Sequence, residues 1–203
     1  MNCNALSGFV LVGGKSSRMK TDKAFLQING ETFLERAVKT LQNVVENRVD
    51  IVLNQTQKHF IERIPGGVPC VFDVFENRGA LGGIHAALKN CATEYAIIIA
   101  VDLPNITVET VEKLAEIALS SNEFNAVVPR QNDGRLQPLC AVYRAADCLP
   151  PLEKLLREND SASVRDFLER LAPRFINQNQ LTEDQSNDIF FNVNRPTDFQ
   201  QIN

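Results

Sequence analysis

The sequence predicts a three-layer α/β/α protein built on a mostly parallel central sheet. Three observations predict it. Short apolar runs alternate with helix-period segments along most of the 203 residues. The strongest runs are apolar without interruption, as strands buried inside a sheet are. Glycine or aspartate stands where several of them stop, at Gly13-Gly14, Asp73 and Asp102. Strand–helix alternation implies a parallel sheet with helices on both faces. Ligands of such sheets lie beyond the carboxyl ends of the strands, which gathers those three positions at one edge.

The elements follow in order. LSGFVLV (6–12) reads as a buried strand ending at the glycine pair. TFLERAVKTLQNVV places Phe33, Leu34, Ala37, Val38, Leu41, Val44 and Val45 on one helical stripe. RVDIVLN is a second strand, ending at Asn54 and followed by a short helix through Phe60 and Ile61. VPCVFD is a third, ending at Asp73, and NRGALGGIHAALKN turns at its glycines before running helical. YAIIIAVDLP is apolar until Asp102, and Pro104 stops it. A helix over 108–120 and the strands FNAVVPR and QPLCAVYR come next. Pro150-Pro151 is expected to open a helix through Leu152, Leu155 and Leu156, and SASVRDFLERLA another, capped by Ser161 or Ser163. DIFFNVNRPTDFQQ reads as a short strand, a turn at 194–196 and a closing helix. No repeat or low-complexity linker divides the chain, so one domain over 1–203 is expected.

Composition narrows the function. A net charge of −4 argues against broad nucleic-acid binding, which needs a basic face. Positive charge is instead local, between Lys15 and Lys23. Five cysteines without a CxxC pair read as buried free thiols, which fits a reducing cytoplasm. The amino terminus lacks the charged and long apolar stretches of a signal peptide, and the apolar run at 95–101 is too short to span a bilayer. A cytoplasmic protein without membrane or nucleic-acid partners is expected.

The stretch LVGGKSSRMKTDKAF (11–25) is neither a Walker A motif, since Phe9 stands five before Gly14, nor a GxGxxG fingerprint. Its physics still suits an anion. Glycines at 13 and 14 let backbone N–H groups approach a phosphate, Ser16 and Ser17 add hydroxyl donors, and Lys15, Arg18 and Lys23 add charge. Arg18 has a fork for two phosphate oxygens, whereas a lysine is a movable point charge. Asp102 closes the most apolar strand, where an unpaired carboxylate is costly; its bland reading is a helix cap. Beside a triphosphate, a carboxylate calls for a divalent cation, and Mg²⁺ binds one or two carboxylates plus phosphate oxygens. Asp73 suits either a second ligand or a sugar hydroxyl.

With these pieces assembled, LVGGKSSRMKTDKAFL resembles the LxGGxSxRMGxDKxxL signature of the molybdenum cofactor guanylyltransferases, a family within the nucleotidyltransferase superfamily with a Rossmann-like fold. VFDVFENRGALGGIHAAL, AVDLP, QPLCAVY and FFNVNRPTDF resemble its later blocks in order, so the resemblance covers nearly the whole chain. It implies transfer of GMP from Mg-GTP to the terminal phosphate of molybdopterin-bound molybdenum, with release of pyrophosphate. It further implies a nucleotide-binding half over about 1–105 and an acceptor-binding half over about 106–203. By position, Leu11, Val12 and Gly13 would lie against guanine with Lys23 nearby. Asn54 would contact the nucleotide, Asp73 the ribose side, Asp102 the Mg²⁺, and Asn192 and Asn194 the pterin. For the asparagines a turn ahead of Pro196 is the plain alternative. Other proteins of molybdenum-cofactor biosynthesis and apo-molybdoenzymes are partners the resemblance implies. Val12, Lys20 and Ala80 depart from the family's Ala, Gly and Pro; Lys at 20 bears on loop conformation, because glycine adopts backbone angles that lysine avoids.

In this reading Lys15 and Arg18 neutralise the leaving pyrophosphate, and the acceptor phosphate needs no general base, so His59 and His85 stand outside the chemistry. The competing readings are a cytidylyltransferase for the same cofactor, a sugar-phosphate nucleotidyltransferase, and a GTP-binding adaptor without turnover. The LxGG form at 11–14 favours guanine over cytosine.

Overall fold

The computed structural model describes residues 3–12, 22–46, 48–75, 77–182, 188–193 and 196–199. Its centre is a seven-stranded sheet: β1 (Leu6–Leu11), β4 (Val49–Leu53), β5 (Cys70–Phe72), β6 (Tyr95–Ala100), β7 (Ala126–Arg130), β8 (Cys140–Arg144) and β9 (Pro173–Asn177). The spatial order is β5-β4-β1-β6-β8-β7-β9. β8 runs antiparallel to β6 and β7, and the other pairings are parallel. The mostly parallel sheet is as expected. β1 and β6 are buried at every residue, which explains why their sequences do not alternate.

Helices cover both faces. α1 (Phe33–Val45) and α3 (Val108–Leu119) pack on one core, and α2 (Ala80–Asn90), α4 (Ala145–Glu158) and α5 (Val164–Leu168) on the other. Gly8 lets α1 lie close to β1, for a Cβ there would meet Leu41 and Val45 at 3.2 Å. A capping box starts α1: the Glu35 amide donates to Thr32 Oγ1 at 3.1 Å, and the Thr32 amide to Glu35 Oε2 at 2.7 Å. The short α6 (Pro196–Phe199) brings Phe199 against Phe33, ring centroids 6.0 Å apart.

The chain steps outward from β1 to β4 to β5, then returns to lay β6 on the other side of β1. This reversal of strand order marks the crevice where ligands of such sheets sit, beyond the carboxyl ends of β1 and β6.

Two expectations are corrected. α4 begins at Ala145, five residues ahead of Pro150-Pro151, because Ala145, Cys148, Leu152, Leu155 and Leu156 form one buried stripe through the prolines. No strand forms within 188–193; Phe191 N–H closes a turn on Asp188 O, and Val193 N–H donates to Asp102 O. The sequence also conceals β9 and a small hairpin, β2 (Gln27–Ile28) with β3 (Glu31–Thr32). Asn29-Gly30, both at positive φ, turns that hairpin. Cys140 and Cys148 are buried thiols that burial pushes to about 12, while Cys70 and Cys91 are half-buried.

Candidate functional site

Leu11, Val12, Lys23, Asn54, Asp73, Asp102 and Asn192 all stand at the carboxyl edge of the sheet or in segments hydrogen-bonded to it. Gly13, Gly14, Lys15, Ser16, Ser17, Arg18 and Asn194 lie outside the described residues.

Asp102 is two residues beyond β6, on the turn 101–102, and it caps no helix; Thr107 caps α3 instead. Its Oδ2 lies 3.8 Å from Lys23 Nζ, carried on the 3₁₀ turn Lys23–Phe25. Burial pushes the Asp102 carboxyl above the usual carboxylate range, against the opposing pull of the Lys23 ammonium and of a hydrogen bond from the Asn192 side chain. Two oxygens here, Asp102 Oδ1 and Asn192 Oδ1, are buried without a hydrogen-bond partner among the described residues. Such orphaned acceptors are rare in folded proteins and mark a place where a donor or a cation belongs. A carboxylate and an amide oxygen are hard donors of the kind Mg²⁺ takes, so these residues fit that ion. Among the described residues no group of three or more His, Cys, Asp or Glu meets. A ligand set of two protein oxygens suits a cation completed by substrate phosphates.

Asp73 sits just past β5. Its Oδ1 accepts from the Phe75 amide at 2.7 Å, and burial raises its carboxyl above the usual range. The carboxylate lies against the first turn of α2, and a Cβ at Gly82 would fall 2.1 Å from Asp73 Oδ2. One residue on, a Cβ at Gly83 would meet Leu11 Cδ2 at 3.0 Å. The two helical glycines therefore let α2 close over Asp73 and Leu11 together. Neither was assigned a place in the site from sequence, although a glycine pair inside a helical pattern signals close approach.

The 3₁₀ segment Gln55–Arg63 braces the same edge. Asn54 caps it, its Oδ1 accepting from the Thr56 amide (3.0 Å) and hydroxyl (2.6 Å). Gln55 Nε2 reaches Asp73 O at 3.3 Å, and Gln57 Nε2 reaches Val12 O at 3.2 Å. Farther along, Phe60 meets the Phe25 ring edge-on at 5.0 Å, and the Arg63 guanidinium lies 3.5 Å from the Phe25 centroid. The brace was read from sequence only as a short helix. Arg78 fastens the loop between Asp73 and α2 to the end of α4 by donating to Leu156 O (2.6 Å) and Asn159 O (2.8 Å).

His85 is buried in α2, with Nε2 3.4 Å from Glu153 Oε1 and Phe75 edge-on at 4.7 Å. Burial lowers its pKa, outweighing Glu153 and Asp73, which raise it; Lys89 adds to the lowering. A histidine depressed in the folded state contributes stability that is lost as pH falls through the unfolded value near 6.5. Thermal denaturation from pH 7.5 to 5.5 is expected to show the wild type losing more stability than His85→Gln.

Comparison with known proteins places the chain in a family. Residues 8–175 match the MobA-like NTP transferase domain. The chain belongs to that family. It is 31% identical over 199 residues to a probable molybdenum cofactor guanylyltransferase of Geobacillus sp. (strain WCH70), covering 98% of each chain. A molybdenum cofactor guanylyltransferase of Desulfosudis oleivorans is 31% identical over 193 residues, covering 94% of this chain and 91% of that one. Among solved structures, the molybdopterin-guanine dinucleotide biosynthesis protein A of Archaeoglobus fulgidus superposes with a TM-score of 0.80 at 23% identity, covering 97% and 96%. The 2-C-methyl-D-erythritol 4-phosphate cytidylyltransferase of Thermus thermophilus gives 0.67 at 16%, covering 97% and 96%. These two likenesses carry the fold, a nucleotidyltransferase fold as expected. As a MobA-like NTP transferase, the chain is a nucleotidyltransferase. Among the described residues no helix is long and apolar enough to cross a membrane.

Proposed function

We propose that the protein transfers GMP from Mg-GTP to the terminal phosphate of molybdopterin-bound molybdenum, releasing pyrophosphate. The observation that carries the reading is the Lys23–Asp102–Asn192 cluster with its two unpartnered buried oxygens at the mouth of the sheet. The guanylyl assignment is supported by relatives of that printed activity matched over nearly the full chain.

In this reading Asp102 and Asn192 hold Mg²⁺, which supplies charge neutralisation to the triphosphate. Lys23, already beside Asp102, lies close to the phosphates, and its charge opposes the effect of burial on that carboxylate. Lys15 and Arg18 neutralise charge on the departing pyrophosphate, and Gly13, Gly14 and Ser16 offer donors to phosphate oxygens. Leu11 and Val12 form the apolar wall for the base. Asn54 gives its side-chain oxygen to Thr56, so the polar atom it turns to a ligand is Nδ2, a donor suited to an acceptor on the base. Asp73 accepts from a ribose hydroxyl. Asn194 stays with the acceptor, whose phosphate oxygen attacks the α-phosphorus while the bond from that phosphorus to the β-phosphate oxygen breaks. The attacking phosphate is ionised at neutral pH, so no proton must be removed. His85, buried between α2 and α4, is consistent with that.

Pyrophosphate release with Mg²⁺ and molybdopterin-bound molybdenum tests the proposal. GTP is expected to support turnover at least about tenfold better than CTP or ATP, corresponding to a base-contact difference of roughly 1.4 kcal/mol. Preference for CTP would move the protein to the cytidylyl branch. GTP binding without release would leave a binding module.

A further inference from the structure

We infer that Gln57 is a positioning residue for base discrimination, a role that rests on the nucleotide reading above. Its side chain makes two bonds of opposite sense. Oε1 accepts from the Asn54 backbone N–H at 3.0 Å, and Nε2 donates to Val12 O at 3.2 Å. An amide of this length does both, whereas the carboxylate of glutamate lacks the donor and the chain of methionine lacks each. Gln57 thus joins the end of β4, where Asn54 begins the brace, to the end of β1, just ahead of Gly13 in sequence.

A second capping pair shows what is particular here. At the end of β9 the Asn177 amide donates to Gln180 Oε1 at 3.2 Å, the same Asn-x-x-Gln spacing. There the glutamine serves a helix start at the far end of the sheet. At Gln57 the other half of the amide reaches 45 residues back along the chain, to a residue at the proposed base wall. The Val12 N–H is already committed to Val52 O at 3.1 Å, so the Gln57 bond fixes the remaining polar group of that residue. It sets the direction in which the chain leaves β1 and, through the Asn54 backbone, the seat of the Asn54 amide donor.

The brace is anchored independently at two further points of the same edge. Gln55 holds Asp73 O, and Phe60 with Arg63 clasps Phe25, two residues from Lys23. Gln57 therefore acts within a segment whose contacts at Gln55, Phe60 and Arg63 also reach toward that edge. A donor from Asn54 favours O6 of guanine over the N6 amino group of adenine, so loosening its seat should erode selectivity as well as affinity.

The test is equilibrium titration of GTP and ATP, with Mg²⁺, into wild type, Gln57→Glu, Gln57→Met and Gln180→Glu. Gln57→Glu keeps the cap to Asn54 and removes the donor to Val12. Its expected result is GTP affinity lowered about tenfold, ATP affinity lowered less, and a melting temperature close to wild type, as for loss of one hydrogen bond. Gln57→Met, which loses both bonds at similar length, should narrow the GTP-to-ATP ratio at least as far; it carries the test if the glutamate variant folds poorly. Gln180→Glu should bind as wild type. A Gln57→Glu protein that keeps wild-type affinity and ratio, or one that loses GTP and ATP binding equally, overturns the inference. Wild type binding neither nucleotide would sink the functional reading and this inference with it. Selective wild-type binding with an indifferent Gln57→Glu sinks the inference alone.

Discussion

Gly82→Ala is expected to weaken GTP binding by about tenfold to a hundredfold while the sheet stays intact. The added Cβ would lie 2.1 Å from Asp73 Oδ2 and 2.6 Å from Cγ, so the carboxylate must leave its seat. Asp73 would then lose the Phe75 amide, a charge-assisted bond of about 1.5–3 kcal/mol. Backbone shift of α2 is the other way out, and overpacking of this kind costs about 1–3 kcal/mol of stability. Gly83→Ala is the graded comparison. Its Cβ meets Leu11 Cδ2 at 3.0 Å and Cγ at 3.2 Å, contacts that a shift of about a few tenths of an ångström relieves, so a loss of only a few fold is expected. Titration of GTP into both variants checks the pair; equal, wild-type affinities would remove Asp73 from the site.

Asp102→Asn is expected to lower pyrophosphate release by about 10²–10³-fold, the scale seen when one preorganised charge-stabilising group is removed. The same change should stabilise the protein without nucleotide. The sign follows from burial. Asp102 has a folded pKa above its unfolded value, so its ionised form destabilises the native state at neutral pH. Stability from this group rises as pH falls through the folded pKa toward 3.8, and asparagine removes that dependence. A gain of about 1 kcal/mol at pH 7.5 is a typical trade of function for stability. It corresponds to about 2–4 °C in a chain of this size. Thermal denaturation in the presence of a chelator reads it, and a lower melting temperature would show that the Lys23 and Asn192 contacts outweigh burial.

The sheet and its ligand edge were legible because β1 and β6, buried at every residue, are almost wholly apolar and end at glycine or near aspartate. The helices on the two faces followed from period alone. Other features depend on partners distant in sequence. β9 is a short edge strand opening on Pro173, and it forms because β7 is there to pair with it. The segment Asp188–Val193 looks like a strand by composition, yet Val193 spends its amide on Asp102 O and Ile189 and Phe190 turn into the core. Pro150 and Pro151 mark a helix start in local terms, but a buried stripe beginning at Ala145 overrides them.

The site divides in the same way. Asp73, Asp102 and Lys23 stand out as strand-end acids and a loop cation, and the structure brings Lys23 and Asp102 together. Asn192 was assigned to the acceptor by resemblance, and its side chain also meets Asp102, a contact across 90 residues that no spacing announces. Gln57 was visible only as an N3 glutamine three residues after Asn54, a capping pattern whose second bond becomes apparent once Val12 lies beside it.

The most direct test of the account is calorimetric titration of GTP with and without Mg²⁺, in wild type and Asp102→Asn. The account predicts that Mg²⁺ strengthens wild-type binding and leaves the variant, which still binds metal-free GTP, unimproved. Equal strengthening of both proteins would contradict a cation held at Asp102.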